Sequence, residues 1–240
     1  MVTYVRGPMA TGDNFDVSLL RGGDLEVVGR LIDASNASLL CKLKNGLQVI
    51  YKPIAGERPL WDFKSGSLAG REVAAFELSQ LGGFNLVPAT VLREGPFGKG
   101  AVQRWIDIDE GIDVVKFGTS QDERLRQMVL FDAIINNTDR KFGHLLISRE
   151  GELYGCDHGV CFHSDDKLRT VLWQWAGEKI TSSETECLES LKSLIPDSGL
   201  ADYLESQEIK AMEVRINRIL ETGVLPEPAQ DWPAVPYPPY

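Results

Sequence analysis

The sequence has no run of the roughly 20 apolar residues needed to cross a bilayer, and Met1 to Asp16 lack the apolar stretch of a secretory signal. Both absences point to a cytoplasmic protein without membrane insertion. Positive charge is also short: 25 Lys and Arg stand against 35 Asp and Glu, giving a formal net charge of -10. Nucleic acid and anionic lipid surfaces are held through an excess of Lys and Arg, so neither is expected as a general partner, and a nucleotide has to be captured by local positive groups. Cysteine is sparse. Cys41, Cys156, Cys161 and Cys187 lie among apolar neighbours rather than in a dense framework, which suits reduced thiols. There is no internal repeat.

What is present is ordinary for a folded protein: 43% hydrophobic and 25% charged residues in a chain of 240, long enough for one large domain or two lobes sharing a cleft. Alternating apolar residues predict strands over Leu25 to Asp33 and Ser38 to Leu43, separated by the polar turn Ala34 to Ala37. A third strand, Leu47 to Lys52, is entered through Asn45-Gly46 and ended by Pro53. Ser67 is placed to cap a helix running to about Gln80 and closed by Gly82 and Gly83. Strands over Asn85 to Arg93 and Ala101 to Ile106 complete a first half of five strands and one helix.

The second half is helix-dominated. Ser120 and Glu123 read as a capping box for a helix ending near Asn136, and further helices are predicted at Leu168 to Ile180, Thr185 to Ile195 and Ser198 to Glu221. Between them a short strand pair, Leu145 to Ser148 and Leu153 to Cys156, places Asp139 just before one strand and Asp157 just after the other. The tail from Pro226 to Tyr240 carries Pro233, Pro236, Pro238 and Pro239 and is expected to be extended.

Three short strings carry the chemistry. Phosphoryl transfer needs a cation on the nucleotide phosphates, a carboxylate that orients the acceptor hydroxyl, and a carboxylate that holds metal. Lys52 at a strand end, Asp139 in Asn137-Thr138-Asp139-Arg140 after a helix, and Asp157 in Cys156-Asp157-His158-Gly159 after a strand supply these in order. A carboxylate on the following helix is needed to position Lys52; Glu72 is the first candidate and Glu77 the alternative. Arg140 either braces its loop or meets phosphate oxygens. A competing arrangement is the cluster Cys156, His158, Cys161 and His163, whose atoms suit zinc but which an extended chain points to opposite faces.

Asp139-Arg140-Lys141-Phe142-Gly143-His144 and Asp157-His158-Gly159 resemble the catalytic loop and metal motif of the phosphoinositide-kinase-like and HipA-like branch of the protein-kinase fold. Tyr51-Lys52-Pro53, the segment Gly56 to Phe63, Arg71-Glu72-Val73-Ala74-Ala75 and the Trp-Pro tail are similar to actinobacterial proteins labelled phosphoinositide 3- and 4-kinase-like. The resemblance covers nearly the whole chain. It implies an α+β, two-lobed protein-kinase-like fold: an N-lobe over 1–106 with a five-stranded antiparallel sheet and one helix, a mostly helical C-lobe over 107–225, and a Pro-rich extended tail over 226–240. It also implies ATP with Mg or Mn between the lobes, and a linker at Gln103, Arg104, Trp105 and Ile106 on the adenine.

Two departures bear on that expectation. His144 stands where the pattern has a metal-binding asparagine, and an imidazole suits Mn or Zn better than Mg. The turn at Ala34 to Ser38 lacks the glycines of a phosphate loop, leaving Ser35, Asn36 and Ser38 to offer donors to phosphate. The expected function is transfer of the γ-phosphoryl group to the hydroxyl of an unknown protein or small molecule. The alternatives are a nucleotide-binding pseudokinase acting on a partner, and an AMP transferase.

Overall fold

The computed structural model describes residues 15–31 and 36–240. After a short helix α1 (Ser18–Arg21), the first half is a five-stranded antiparallel sheet in the order β1-β2-β3-β5-β4. Its strands are β1 (Leu25–Arg30), β2 (Leu39–Leu43), β3 (Gln48–Pro53), β4 (Thr90–Gly95) and β5 (Gly98–Arg104). The β2–β3 turn follows from its chemistry: Gly46 takes φ +88, and the Asn45 side chain accepts the Leu47 N–H. In β3, Val49 and Tyr51 enter the core while Lys52 lies half-buried opposite Ala101 of β5. That approach is close enough that a Cβ on Gly100 would sit 2.5 Å from the Lys52 carbonyl oxygen, which explains the glycine.

Helix α2 (Leu68–Leu81) packs on β4 and β5 with most of its residues buried. Ser67 occupies the N-cap position, but its side chain does not cap. The Glu57 carboxylate does so instead, accepting from Leu68 N and Ala69 N at 3.3 and 2.8 Å. The loop before α2 is thereby tied to the helix that carries Glu72.

The second half holds α3 (Val114–Gly118), α4 (Glu123–Ile135), the paired strands β6 (Leu145–Ile147) and β7 (Leu153–Gly155), α5 (Ser182–Leu194) and α6 (Ser206–Thr222). The cap of α4 is Asp122, which accepts from Arg124 N, rather than the expected Ser120–Glu123 box. The helix ends on Asn136 in the left-handed conformation, φ +53. Leu168 to Ile180 is not a helix. Its backbone is recruited by other segments: Arg169 N donates to Asn137 O, Arg140 N to Arg169 O, and Thr170 N to Ala234 O. Tertiary hydrogen bonds thus override the local helical pattern and lay Arg169 beside the Asp139 loop.

The tail is extended and draped over the body. Ala234 O accepts from Thr170 N and Trp173 Nε1, Pro239 O accepts from Phe142 N, and Trp232 Nε1 donates to Lys167 O. Among the described residues, no helix is long and apolar enough to cross a membrane.

Candidate active site

Lys52 on β3 forms an ion pair with Glu72 of α2, and its ammonium is also 3.1 Å from Asp157 Oδ1. The second oxygen of Glu72 accepts the backbone N–H of His158, so one buried carboxylate fixes both the lysine and the loop carrying Asp157. The choice between Glu72 and Glu77 is settled by this contact. Burial works against the Lys52 charge, but Glu72 and Asp157 more than offset it and hold the ammonium protonated well above its ordinary range. Lys52 in turn holds the Asp157 carboxyl far below the usual carboxylate range, against the opposing effect of burial. Asp157 has a left-handed backbone, φ +62, a conformation that aspartate tolerates better than most residues. His144 Nε2 lies 3.6 Å from Asp157 Oδ2, and burial depresses the imidazole's basicity.

Asp139 leaves the end of α4 on a tightly bonded loop. Its backbone N–H donates to Asn137 Oδ1, the Asn137 amide donates to Asp132, and Thr138 Oγ1 donates to Val160 O. The Asp139 carboxylate is flanked by Lys141 Nζ at 3.4 Å and Arg169 Nη2 at 4.0 Å. Arg140 points the other way. It is fully buried, donates twice to Asp132 at 2.8 Å and once to Cys156 O at 3.1 Å, and meets His158 Nε2 at 2.8 Å. Of the two roles expected for Arg140, meeting phosphate as a catalytic residue is corrected and bracing its loop is what its contacts do: with its donors spent inside, it is a positioning residue that clamps α4, the Asp139 loop and the Asp157 loop together.

Lys52, Glu72, Asp139 and Asp157 open into one cleft of about 480 Å³, within the range of small-molecule sites. Asn36, Ser38 and Arg58 line it as well, and Arg58 N donates to Asn36 Oδ1. Ser35 lies outside the described residues. The expected adenine contacts at Gln103, Arg104, Trp105 and Ile106 do not line this cleft. Gln103 is buried and donates to Thr90 Oγ1, while Arg104 N and Trp105 N donate to Ala89 O and Gln48 O, so the sheet uses these groups itself. A larger cavity of about 620 Å³ lies between α6 and the tail; its charged lining is Asp166, Arg215, Arg218 and Glu227, with Asp166 paired to Arg218 and 3.9 Å from Arg215, and it has no lysine–carboxylate constellation. The zinc arrangement fails: among the described residues no three His, Cys, Asp or Glu side chains gather to hold a metal by themselves, and His158 faces Arg140.

Lys141, Lys167, Arg169, Trp61 and Trp232 were not singled out by the sequence. Lys141 lies in the catalytic-loop string two residues after Asp139, Trp61 in the segment Gly56 to Phe63 and Trp232 in the Trp-Pro tail, while Lys167 and Arg169 lie in no motif. All but Lys141 come together only through the loop 57–66, the non-helical segment after Ser164 and the tail, and no local spacing signals that.

No family model matches the chain. Protein Rv2133c of Mycobacterium tuberculosis is 37% identical over 262 residues, covering 92% of this chain and 94% of that protein. The chain belongs to the family of Rv2133c. Among solved structures, the Golgi casein kinase with Mn/ADP bound matches with TM-score 0.54 and 14% identity, covering 86% of this chain and 74% of that one. Hydra Fam20 with sugar matches at TM-score 0.55 and 13% identity over 86% of each chain, and the Helicobacter pylori proinflammatory kinase CtkA at 0.50 and 10%, over 86% and 94%. The fold is therefore kinase-like, α+β, with a five-stranded antiparallel sheet. The narrower likeness to phosphoinositide and HipA kinases rests on the motifs alone.

Proposed function

We propose that this protein is an atypical, metal-dependent kinase that transfers the γ-phosphoryl group of ATP to an acceptor hydroxyl. The observation that carries this reading is the buried Lys52–Glu72 pair meeting Asp157 in the same cleft that receives Asp139. In this reading the described residues up to 106 make the lobe that binds the nucleotide phosphates, 107–225 the lobe with the catalytic and metal loops, and 226–240 the tail. Lys52 holds nucleotide phosphates in position, braced by Glu72. Asn36, Ser38 and Arg58 face the same cleft and supply further donors. Asp139 accepts the proton of the acceptor hydroxyl, and Lys141 beside it offsets charge gathering on the transferred group.

Asp157 and His144 fit a divalent cation. One carboxylate and one imidazole face each other across 3.6 Å, a donor pair that favours Mn over Mg and leaves phosphate oxygens and water to complete the shell. Such a cation neutralises phosphate charge when bound. The resemblance to a kinase solved with Mn/ADP supports the same choice.

The test is to incubate the protein with ATP labelled at the γ or the α position, with Mg or Mn, beside Asp139→Ala and Asp157→Ala. Release or transfer of γ label that both substitutions abolish supports the reading. Transfer of α label replaces it with AMP transfer. Tight ATP binding with neither label moving makes the protein a pseudokinase.

A further inference from the structure

The Asp139 side of the cleft gathers cations and indole rings in an otherwise acidic protein. Its walls are Thr138, Asp139, Lys167 and Arg169, Trp232 from the tail, and Trp61 and Asp62 from the loop before α2. Lys167 is buried, paired with Asp62 at 2.8 Å, and lies 4.8 and 5.4 Å from the Trp61 and Trp232 rings. Its charge is spent on building the wall. Arg169 is different. Its Nε donates to Thr138 O at 2.8 Å, which aims the guanidinium, but Nη2 stops 4.0 Å short of Asp139, too far for a hydrogen bond. Among the described residues no carboxylate is hydrogen-bonded to its terminal nitrogens. A guanidinium fork held beside the catalytic carboxylate matches the two oxygens of a phosphate or carboxylate.

The remaining walls are flat and apolar. Trp61 is 87% exposed at the rim and Trp232 is half-buried, so together they offer ring faces to a small carbon skeleton. The tail carrying Trp232 is fastened at Lys167, Thr170, Trp173 and Phe142, which holds the Trp232 wall of the cleft in place. From these observations we propose that the acceptor is a small soluble alcohol bearing a phosphate or carboxylate. Arg169 binds the anion, Trp61 and Trp232 pack on the skeleton, and the hydroxyl lies at Asp139. In the transfer, the hydroxyl oxygen bonds to the γ-phosphorus while the bond from that phosphorus to the bridging oxygen breaks. ADP leaves with the electron pair, and the hydroxyl proton passes to Asp139.

This rests on the kinase reading, and the test separates the two. With AMP-PNP and Mn saturating the protein, so that the γ-phosphate position is filled, inorganic phosphate is titrated by calorimetry into wild type, Arg169→Gln and Trp232→Ala. We expect one saturable phosphate site, weakened about tenfold or more in R169Q, since the variant loses a charge-assisted hydrogen bond to the anion. AMP-PNP affinity should be unchanged in R169Q. Because the Trp232 ring also lies 5.9 Å from the Arg169 guanidinium, W232A should weaken glycerol 3-phosphate more than it weakens inorganic phosphate. No saturable site, or one indifferent to R169Q, overturns the proposal. So does γ label passing to a Ser/Thr peptide library, or to phosphatidylinositol vesicles, in preference to soluble alcohol phosphates. If AMP-PNP itself does not bind, the kinase reading fails, and the phosphate titration of the nucleotide-free protein still decides whether Arg169 forms an anion site.

Discussion

Replacing Arg140 by Met tests the claim that a buried clamp, rather than a phosphate contact, occupies this position. Arg140 and Asp132 are 0% and 1% exposed and share two hydrogen bonds of 2.8 Å. The Arg140→Met protein keeps the side-chain volume but leaves the Asp132 carboxylate buried with only the Asn137 amide, at 2.9 Å, as side-chain partner. Stranding one member of a buried pair costs about 3–5 kcal/mol. The lost donor to Cys156 O is part of the same network and is not added on top. For a chain of this size that predicts a melting temperature lower by roughly 6–20 °C. The double variant Arg140→Met, Asp132→Leu removes both charges, leaving the Asn137 amide without its acceptor at a cost of about 1–3 kcal/mol. It should therefore recover a substantial part of the loss. Urea midpoints and calorimetric melting of wild type, both single variants and the double variant give the coupling. A cost below about 1 kcal/mol for Arg140→Met, or a double variant as unstable as the sum of the singles, would refute the clamp.

Lys52→Met should abolish detectable AMP-PNP binding by calorimetry while the sheet still folds, because the lysine's partners Glu72 and Asp157 then repel phosphate; retained affinity would remove Lys52 from the phosphate role. Glu57→Ala should lower stability by about 1 kcal/mol in urea unfolding through loss of the α2 cap, with Glu57→Gln retaining part of it. His158 is fully buried, and burial followed by the Arg140 charge holds its basicity well below that of a free imidazole. The unfolded chain therefore binds more protons below about pH 6.5, so stability present at neutral pH should fall with acidification by up to about 1.4 kcal/mol per pH unit, a slope His158→Gln should reduce. Burial raises all four thiols, Cys156 to about 12, so native protein at pH 8 should react with a disulfide reagent far more slowly than the four thiols released by urea; a fast native thiol would contradict the packing.

The residues that the sequence made legible are those whose chemistry is local. Lys52 lies one residue before the end of β3, Glu72 lies five residues into a helix, and Asp139 and Asp157 flank a short hairpin, so each announces itself through its own neighbours. What stayed hidden depends on pairing between distant segments. The helical pattern from Leu168 to Ile180 is real in the sequence, yet the backbone of that segment is bonded to the Asp139 loop and to Ala234 of the tail. Side-chain periodicity carries no record of such partners. The same cause explains Glu57 displacing Ser67 as the cap of α2, and Gln103 turning into the sheet toward Thr90 instead of toward a ligand.

These hidden contacts change what the three strings mean together. Asp132 grips Arg140, Arg140 holds the carbonyl before Asp157 and the ring after it, and Glu72 accepts that ring residue's N–H while pairing with Lys52. A single chain of buried charge and hydrogen bonds therefore runs from α4 through both loops to β3. Displacing any member leaves a charge buried without its partner, which is costly in a low-dielectric interior. The spacing of Lys52, Asp157 and the Asp139 loop is thus set by interior electrostatics rather than by the exposed groups themselves. This is how a sheet and a helical half can hold three charged side chains in register.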